Sequence, residues 1–195
     1  MTPADAVNPP ATMNILIVYS TVDGHTLEIC ERLRQRLDTS ACRLTMMTVA
    51  DADGADLAAF DKVVIGASIR YGKHRPELVD FLKRHGPALN SRPTALFSVN
   101  LVARKPAKNQ PDTNPYMRKL LSQLSWRPAA MAVFAGKVDY PRYDFLDRQI
   151  IRFIMWLTDG PTDRSAVIDF TDWAQVDAFA DAIGRLAARV SGSGS

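Results

Sequence analysis

Three stretches hold the residues whose types and spacing suit chemistry. The first, Ser20-Thr21-Val22-Asp23-Gly24-His25-Thr26, gathers three hydroxyls around a glycine turn just ahead of a helical pattern. Backbone N–H groups at a helix start lack intrahelical acceptors and sit at the positive end of the dipole, so an anion binds there readily. The stretch has neither the Lys and glycine spacing of a P-loop nor the three glycines that admit a pyrophosphate. That chemistry fits a single phosphate; a hydroxyl-rich turn that only caps a helix is the alternative reading. Within it, His25 is expected to be a solvated ring, with an extra phosphate donor as the other option. The second stretch is Gly66-Ala67-Ser68-Ile69-Arg70-Tyr71-Gly72. Its small residues let the backbone approach a planar ligand, and Tyr71 or Ile69 is placed to cover a ring. The third, Ser98-Val99-Asn100-Leu101-Val102-Ala103-Arg104-Lys105-Pro106, offers backbone amides, a carboxamide and cations. Each has a plain structural reading beside it: Tyr71 as packing, Asn100 as a turn former, the arginines as solvated charges.

The elements that must position these stretches are legible around them. Strand-like runs cover residues 14–19, 43–49, 62–66, 94–99 and 130–135. Short continuous apolar runs suit strands buried on both faces of a parallel sheet. Between them, a helix over 27–37 puts Cys30, Leu33 and Leu37 on one stripe and turns Glu31, Arg32 and Arg36 away. A second opens at Pro76, carries Leu78, Phe81 and Leu82, and ends at Gly86. A third covers 116–124. A last one, over about 172–190, starts with capping-box spacing at Asp172 and buries Val176, Phe179, Ala180, Ile183, Leu186 and Ala187. Alternating β and α elements build a five-stranded, doubly wound α/β sheet with helices on both faces. The loops after its first, third and fourth strands then converge on one crevice. Three loops of compatible chemistry at one crevice point to an aromatic mononucleotide with one phosphate, of which flavin mononucleotide (FMN) is an example.

Composition frames the rest. The chain has 195 residues, 47% hydrophobic and 23% charged, and a formal net charge of +3. This fits one folded domain over 13–190, with a disordered Pro/Ala-rich extension at 1–12 and a flexible tail at 191–195. The extension lacks the apolar core of a signal peptide. The mild positive charge permits anionic lipid or an acidic ligand and requires neither; no nucleic-acid partner is expected. Cys30 and Cys42 read as buried thiols in a reducing compartment, with no metal site and no disulfide. No apolar run approaches the roughly 20 residues that span a bilayer. The segment from Phe145 to Leu157 is nevertheless apolar at nine of thirteen positions and carries Trp156. As a helix within 142–159 it suits a membrane surface or the cover of an apolar substrate; core packing or an oligomer contact is the alternative.

The three stretches, with Tyr140-Pro141-Arg142-Tyr143 and Phe170-Thr171-Asp172-Trp173, resemble one family. It is that of the flavin-dependent, quinone-linked protoporphyrinogen IX dehydrogenases of bacteria, relatives of long-chain flavodoxins. The resemblance runs from about Met13 to Leu186. It implies a flavodoxin-like fold, bound FMN, and oxidation of protoporphyrinogen IX to protoporphyrin IX in haem biosynthesis. Six hydrogens leave the substrate, so a two-electron flavin turns over three times, delivering electrons to a membrane quinone, ubiquinone or menaquinone. It further implies that residues 21–25 hold the phosphate, that the second and third stretches flank the flavin ring, and that the protein is peripheral at the cytoplasmic face of the inner membrane. No residue is required as a catalytic base, and nothing in the residues sets the oligomeric state. Arg70, Arg75 and Arg104 are the cations expected to pair the substrate propionates. A flavodoxin-type electron carrier and an NAD(P)H:quinone oxidoreductase share much of this pattern and are the competing readings.

Overall fold

The computed structural model describes residues 12–139 and 167–187. Strands β1 (Met13–Ser20), β2 (Cys42–Thr48), β3 (Lys62–Arg70), β5 (Thr94–Val99) and β6 (Ala130–Phe134) lie in the order β2-β1-β3-β5-β6. All four pairings along that path are parallel. This is the flavodoxin-like order, whose direction of winding reverses between β1 and β3 and opens a crevice beyond their carboxyl ends.

Alternation along each strand explains why the runs are continuously apolar. Leu16, Val18, Val63, Ile65 and Leu96 face one way, toward α3 (Pro76–Arg84), α4 (Gly86–Asn90) and α5 (Pro115–Leu121). Ile15, Ile17, Val64, Ala95 and Phe97 face the other, toward α1 (His25–Leu37) and α6 (Trp173–Arg185). Both faces are sealed, so neither tolerates a polar strand residue without a partner. Helices α1 and α6 are tied by Arg32, whose guanidinium makes two hydrogen bonds to Asp177 at 2.8 and 2.7 Å.

Several boundaries differ from the sequence expectation. Val49 leaves β2 and starts a short helix, α2 (Val49–Ala52), capped by Thr48, whose hydroxyl accepts from Asp51 N. Gly86 does not simply end a helix; it opens α4. Helix α5 starts one residue early because Asn114 caps it, accepting from Tyr116 N and Met117 N, with Pro115 at the first position. Helix α6 stops at Arg185, so Leu186 is half-buried and Ala187 exposed, not core residues. Cys30 is buried, but Cys42, at the start of β2, is half-buried.

The largest correction concerns the second stretch. Gly66 to Arg70 are strand, not loop: β3 runs on to Arg70 and turns back through Tyr71-Gly72 into β4 (Lys73–His74). Gly66 faces the core, where a Cβ would lie 2.7 Å from the Phe97 ring. Its missing side chain therefore serves strand packing and not a ligand. A second small ladder, β7 (Lys137–Asp139) against β8 (Val167–Asp169), was also not expected. The apolar segment 142–159 and the Tyr-Pro-Arg-Tyr motif lie outside the described residues.

Lys62 shows how the sealed faces handle a charge. It is 1% exposed, and its ammonium donates to Ile183 O at 3.0 Å and Gly184 O at 2.9 Å, near the carboxyl end of α6. Burial lowers its pKa, while Cys42 and Asp61 push the other way. Lys62→Ala removes the ammonium from Gly184 O and leaves Ile183 O with Leu186 N as its donor, beside a cavity. We expect it to reduce the unfolding free energy by about 2–4 kcal/mol in a denaturant titration.

Candidate functional site

A cleft opens beyond the carboxyl ends of β1, β3, β5 and β6. Its first wall is the turn between β1 and α1. There Gly24 takes φ +86°, a left-handed conformation that spares it any Cβ clash, and its N–H donates to Thr21 Oγ1 at 3.1 Å. Gly24 caps α1 without a side chain, so no side-chain oxygen occupies the N–H groups of the first turn. An uncapped helix start facing a cleft is what a phosphate requires.

The second wall is the β3–β4 hairpin. Arg70 pairs with Lys73 across a two-residue turn, and both turn residues have positive φ, 50° at Tyr71 and 74° at Gly72. That is the mirror-image turn matching strand twist, and it places a tyrosine in a conformation costing about 1 kcal/mol or more. Tyr71 is 54% exposed at the cleft mouth. The Arg70 guanidinium lies 5.0 Å over its ring and 3.5 Å from Asp23 Oδ1, linking the two walls. Behind them Ser68 Oγ is buried at the cleft with no hydrogen-bond partner. A buried hydroxyl without a partner costs about 1–3 kcal/mol and calls for a ligand or water to meet it.

The third wall follows β5. Asn100 is 4% exposed; its Oδ1 accepts from Ala103 N at 3.2 Å and from Asn114 Nδ2 at 3.1 Å. Its own Nδ2 donates to Ser98 Oγ at 3.4 Å, and that oxygen lies 3.1 Å from His74 Nε2. One buried network thus holds β4, β5, the turn after β5 and the start of α5 together. Asn100 is both a turn former and a cleft residue, with its carboxamide oxygen holding two donors.

Comparison with known proteins agrees with this geometry. A flavodoxin-domain family model matches residues 16–165. The protoporphyrinogen IX dehydrogenase [quinone] of Escherichia coli K12 is 44% identical over 174 residues, covering 89% of this chain and 96% of the relative. The Leishmania major protein of that name is 46% identical over 166 residues, covering 85% and 72%. The chain belongs to this flavodoxin-domain family of quinone-linked protoporphyrinogen IX dehydrogenases. Among solved structures, a mutant flavodoxin from Pseudomonas aeruginosa aligns at TM-score 0.47 and 13% identity, covering 75% of this chain and 97% of that one.

Within this flavodoxin-type site, Thr21, Val22, Asp23, His25 and Thr26 line the cleft with Ser68, Ile69, Arg70, Tyr71 and Gly72, and with Val99, Asn100 and Leu101. Ser20, Gly24, Ala67 and Ser98 do not line it. Ser20 ends β1 and Gly24 shapes the turn, while Ala67 and Ser98 are fully buried behind the wall. Arg75 pairs with Glu77 at the start of α3, and Arg104 donates to Leu101 O at 3.0 Å; neither lines the cleft. Val102 of the third stretch lines it as well, and Tyr116, Gly136 and Lys137 line it without having been expected. The last two follow β6, and in a doubly wound sheet that loop reaches the same edge as the others, which is the signal that points to them.

His25 is neither solvated nor available to a phosphate. It is 8% exposed, with Nδ1 2.8 Å from Glu28 Oε2 and Nε2 2.6 Å from Thr171 Oγ1. The Thr171 hydroxyl donates to Ala135 O at 3.0 Å, so its oxygen accepts from His25 Nε2. Phe170-Thr171-Asp172-Trp173 is therefore a clamp: Trp173 Nε1 donates to Asp169 Oδ2, Asp172 caps α6, and Thr171 locks β6 to the start of α1.

His74 supplies a pH dependence. Burial holds its imidazole down to about 4, against an ordinary 6.5. Between these values the unfolded chain binds a proton and the folded one does not, so stability falls as pH falls through the window. The loss reaches about 3 kcal/mol and ends below about pH 4. Chemical denaturation between pH 7 and 4.5 should show this slope, and His74→Gln should flatten it.

Proposed function

We propose that this chain oxidises protoporphyrinogen IX to protoporphyrin IX with bound FMN and passes the electrons to a quinone, a step of haem biosynthesis. The observation that carries the proposal is the 44% identity to the Escherichia coli enzyme over 96% of that enzyme. The cleft supports it with chemistry suited to the cofactor. The uncapped start of α1, with Thr21 beside it, is built for the single phosphate. The Ser68 hydroxyl is left for a ligand atom, and Tyr71 with residues 99–102 forms a slot of suitable shape for a flat ring.

When bound, FMN supplies the two-electron redox chemistry that links porphyrinogen to quinone. The protein's part is placement. The β3–β4 hairpin sets one edge of the slot, and the Asn100 network fixes the other against β5 and β6. The apolar side chains of Val99, Leu101 and Val102 keep water from the reacting face. Of the three arginines expected at the propionates, only Arg70 lines the cleft, and Asp23 already faces it at 3.5 Å.

We extend the reading to ubiquinone or menaquinone as acceptor and to a peripheral position at the cytoplasmic face of the inner membrane. Its support is the apolar composition of Phe145 to Leu157 and the pairing of Asp139 with Val167, the residues on either side of 140–166. Among the described residues no helix is long and apolar enough to cross a membrane.

Under anaerobic conditions protoporphyrinogen IX should bleach the yellow holoprotein, and quinone added in excess should restore the colour and bring up porphyrin fluorescence. Bleaching by NADPH and not by protoporphyrinogen IX would overturn the proposal. Ser68→Ala should weaken FMN binding about fivefold to tenfold while leaving the FMN-free protein as stable or more stable, since it removes an unpaired buried hydroxyl. Flavin fluorescence titration and thermal melts of the FMN-free protein read the two effects.

A further inference from the structure

The cations around the first cleft are already engaged. Arg70 faces Asp23 at 3.5 Å, Lys137 faces Glu28 at 3.8 Å, and Arg75, nearby, pairs with Glu77. A second cleft adjoins the first across the hairpin turn, sharing Gly72 and Tyr116 as a common wall. Its other walls include Lys73 and His74 of β4, Lys119 of α5 and Gln123 just beyond it. No Asp or Glu lines it, and neither lysine has a carboxylate partner among the described residues.

Local structure fixes where the two exposed lysines leave the backbone. The hairpin register sets Lys73 opposite Arg70, and Tyr116 and Lys119 stand about one helical turn apart on the same face of α5. The Gln123 amide donates to Lys119 O at 3.0 Å, closing the end of that helix beside the lysine. Gly72 keeps the shared wall low: a Cβ there would approach the Tyr116 hydroxyl at 3.8 Å in a backbone conformation that disfavours side chains. Two lysines in a cleft that, among the described residues, holds no carboxylate will draw anionic groups from a molecule seated next door.

We infer that Lys73 and Lys119 bind the two propionate carboxylates of the porphyrin substrate, so that the second cleft anchors its acidic edge while the macrocycle reaches the first. This rests on the function proposed above. The carboxylates remain ionised and unreacted throughout; the lysines position the substrate and take no part in electron transfer.

The test compares protoporphyrinogen IX with its dimethyl ester, which has the same macrocycle and no carboxylates, using the FMN-loaded full chain. Lys73→Gln and Lys119→Gln should each raise KM for the diacid about fivefold to tenfold and leave KM for the ester unchanged. Lys119→Arg should restore most of the loss, and Lys83→Gln, an equal loss of charge elsewhere on α3, should have no effect. Binding of protoporphyrin IX, followed by its fluorescence, should weaken in parallel in the same variants. Equal loss for diacid and ester, or no loss for the diacid, would overturn the assignment. A wild-type protein that fails to oxidise protoporphyrinogen IX would instead overturn the functional proposal itself. Full FMN content in each variant shows that the fold is retained.

Discussion

Both faces of the parallel sheet are sealed by helices, and the rest of the molecule follows from that. With α1 and α6 on one side and α3 to α5 on the other, the central strands β3 and β5 bury nearly every side chain they carry, while the edge strand β2 stays half-buried. Functional groups are thereby driven to the loops beyond the carboxyl edge. The reversal of winding between β1 and β3 separates those loops and leaves a crevice. The same seal makes Lys62 expensive to charge and obliges it to find carbonyl partners.

The site can be read by asking which buried polar atoms are already satisfied. His25, Thr171, Ser98, Asn100 and Asn114 are, and each joins elements distant in sequence: β6 to α1, β4 to β5, the turn after β5 to α5. They hold the walls at fixed spacing and have little left to give a ligand. Ser68 and the first-turn N–H groups of α1 are the exceptions, and they face the same cleft. A rigid, self-satisfied frame around a few open donors is the arrangement expected of a resident cofactor, since preorganised donors lose little freedom on binding.

Charge follows the same division. Around the first cleft each cation has a carboxylate within reach or a carbonyl to bond, which leaves the local field near balance where an uncharged flavin ring would sit. Across the Tyr71-Gly72 turn the balance ends, and among the described residues two lysines stand without carboxylate partners. A substrate that is apolar over most of its surface and doubly anionic at one edge matches an apolar slot beside a basic one.

The sequence alone determined the sheet, its five parallel strands, and the three loops that meet at its edge, because apolar periodicity and helix caps are local signals. It also carried the hydroxyl-rich glycine turn ahead of α1, which by residue type alone suits either a phosphate or a helix cap. Tertiary structure decided what each residue there does. His25 lies in the phosphate turn, but a threonine 146 residues away claims its ring. Gly66 looked like ligand space and is filled by Phe97. Tyr71-Gly72 lacks the usual Asn-Gly signature of its turn, so the hairpin that separates the two clefts was hidden. Tyr116, expected only as part of the helix over 116–124, is half-buried and lines both clefts. In each case the deciding partner is far away in the chain, and a hydrogen bond or a contact across such a distance leaves no periodic mark in the residues that make it.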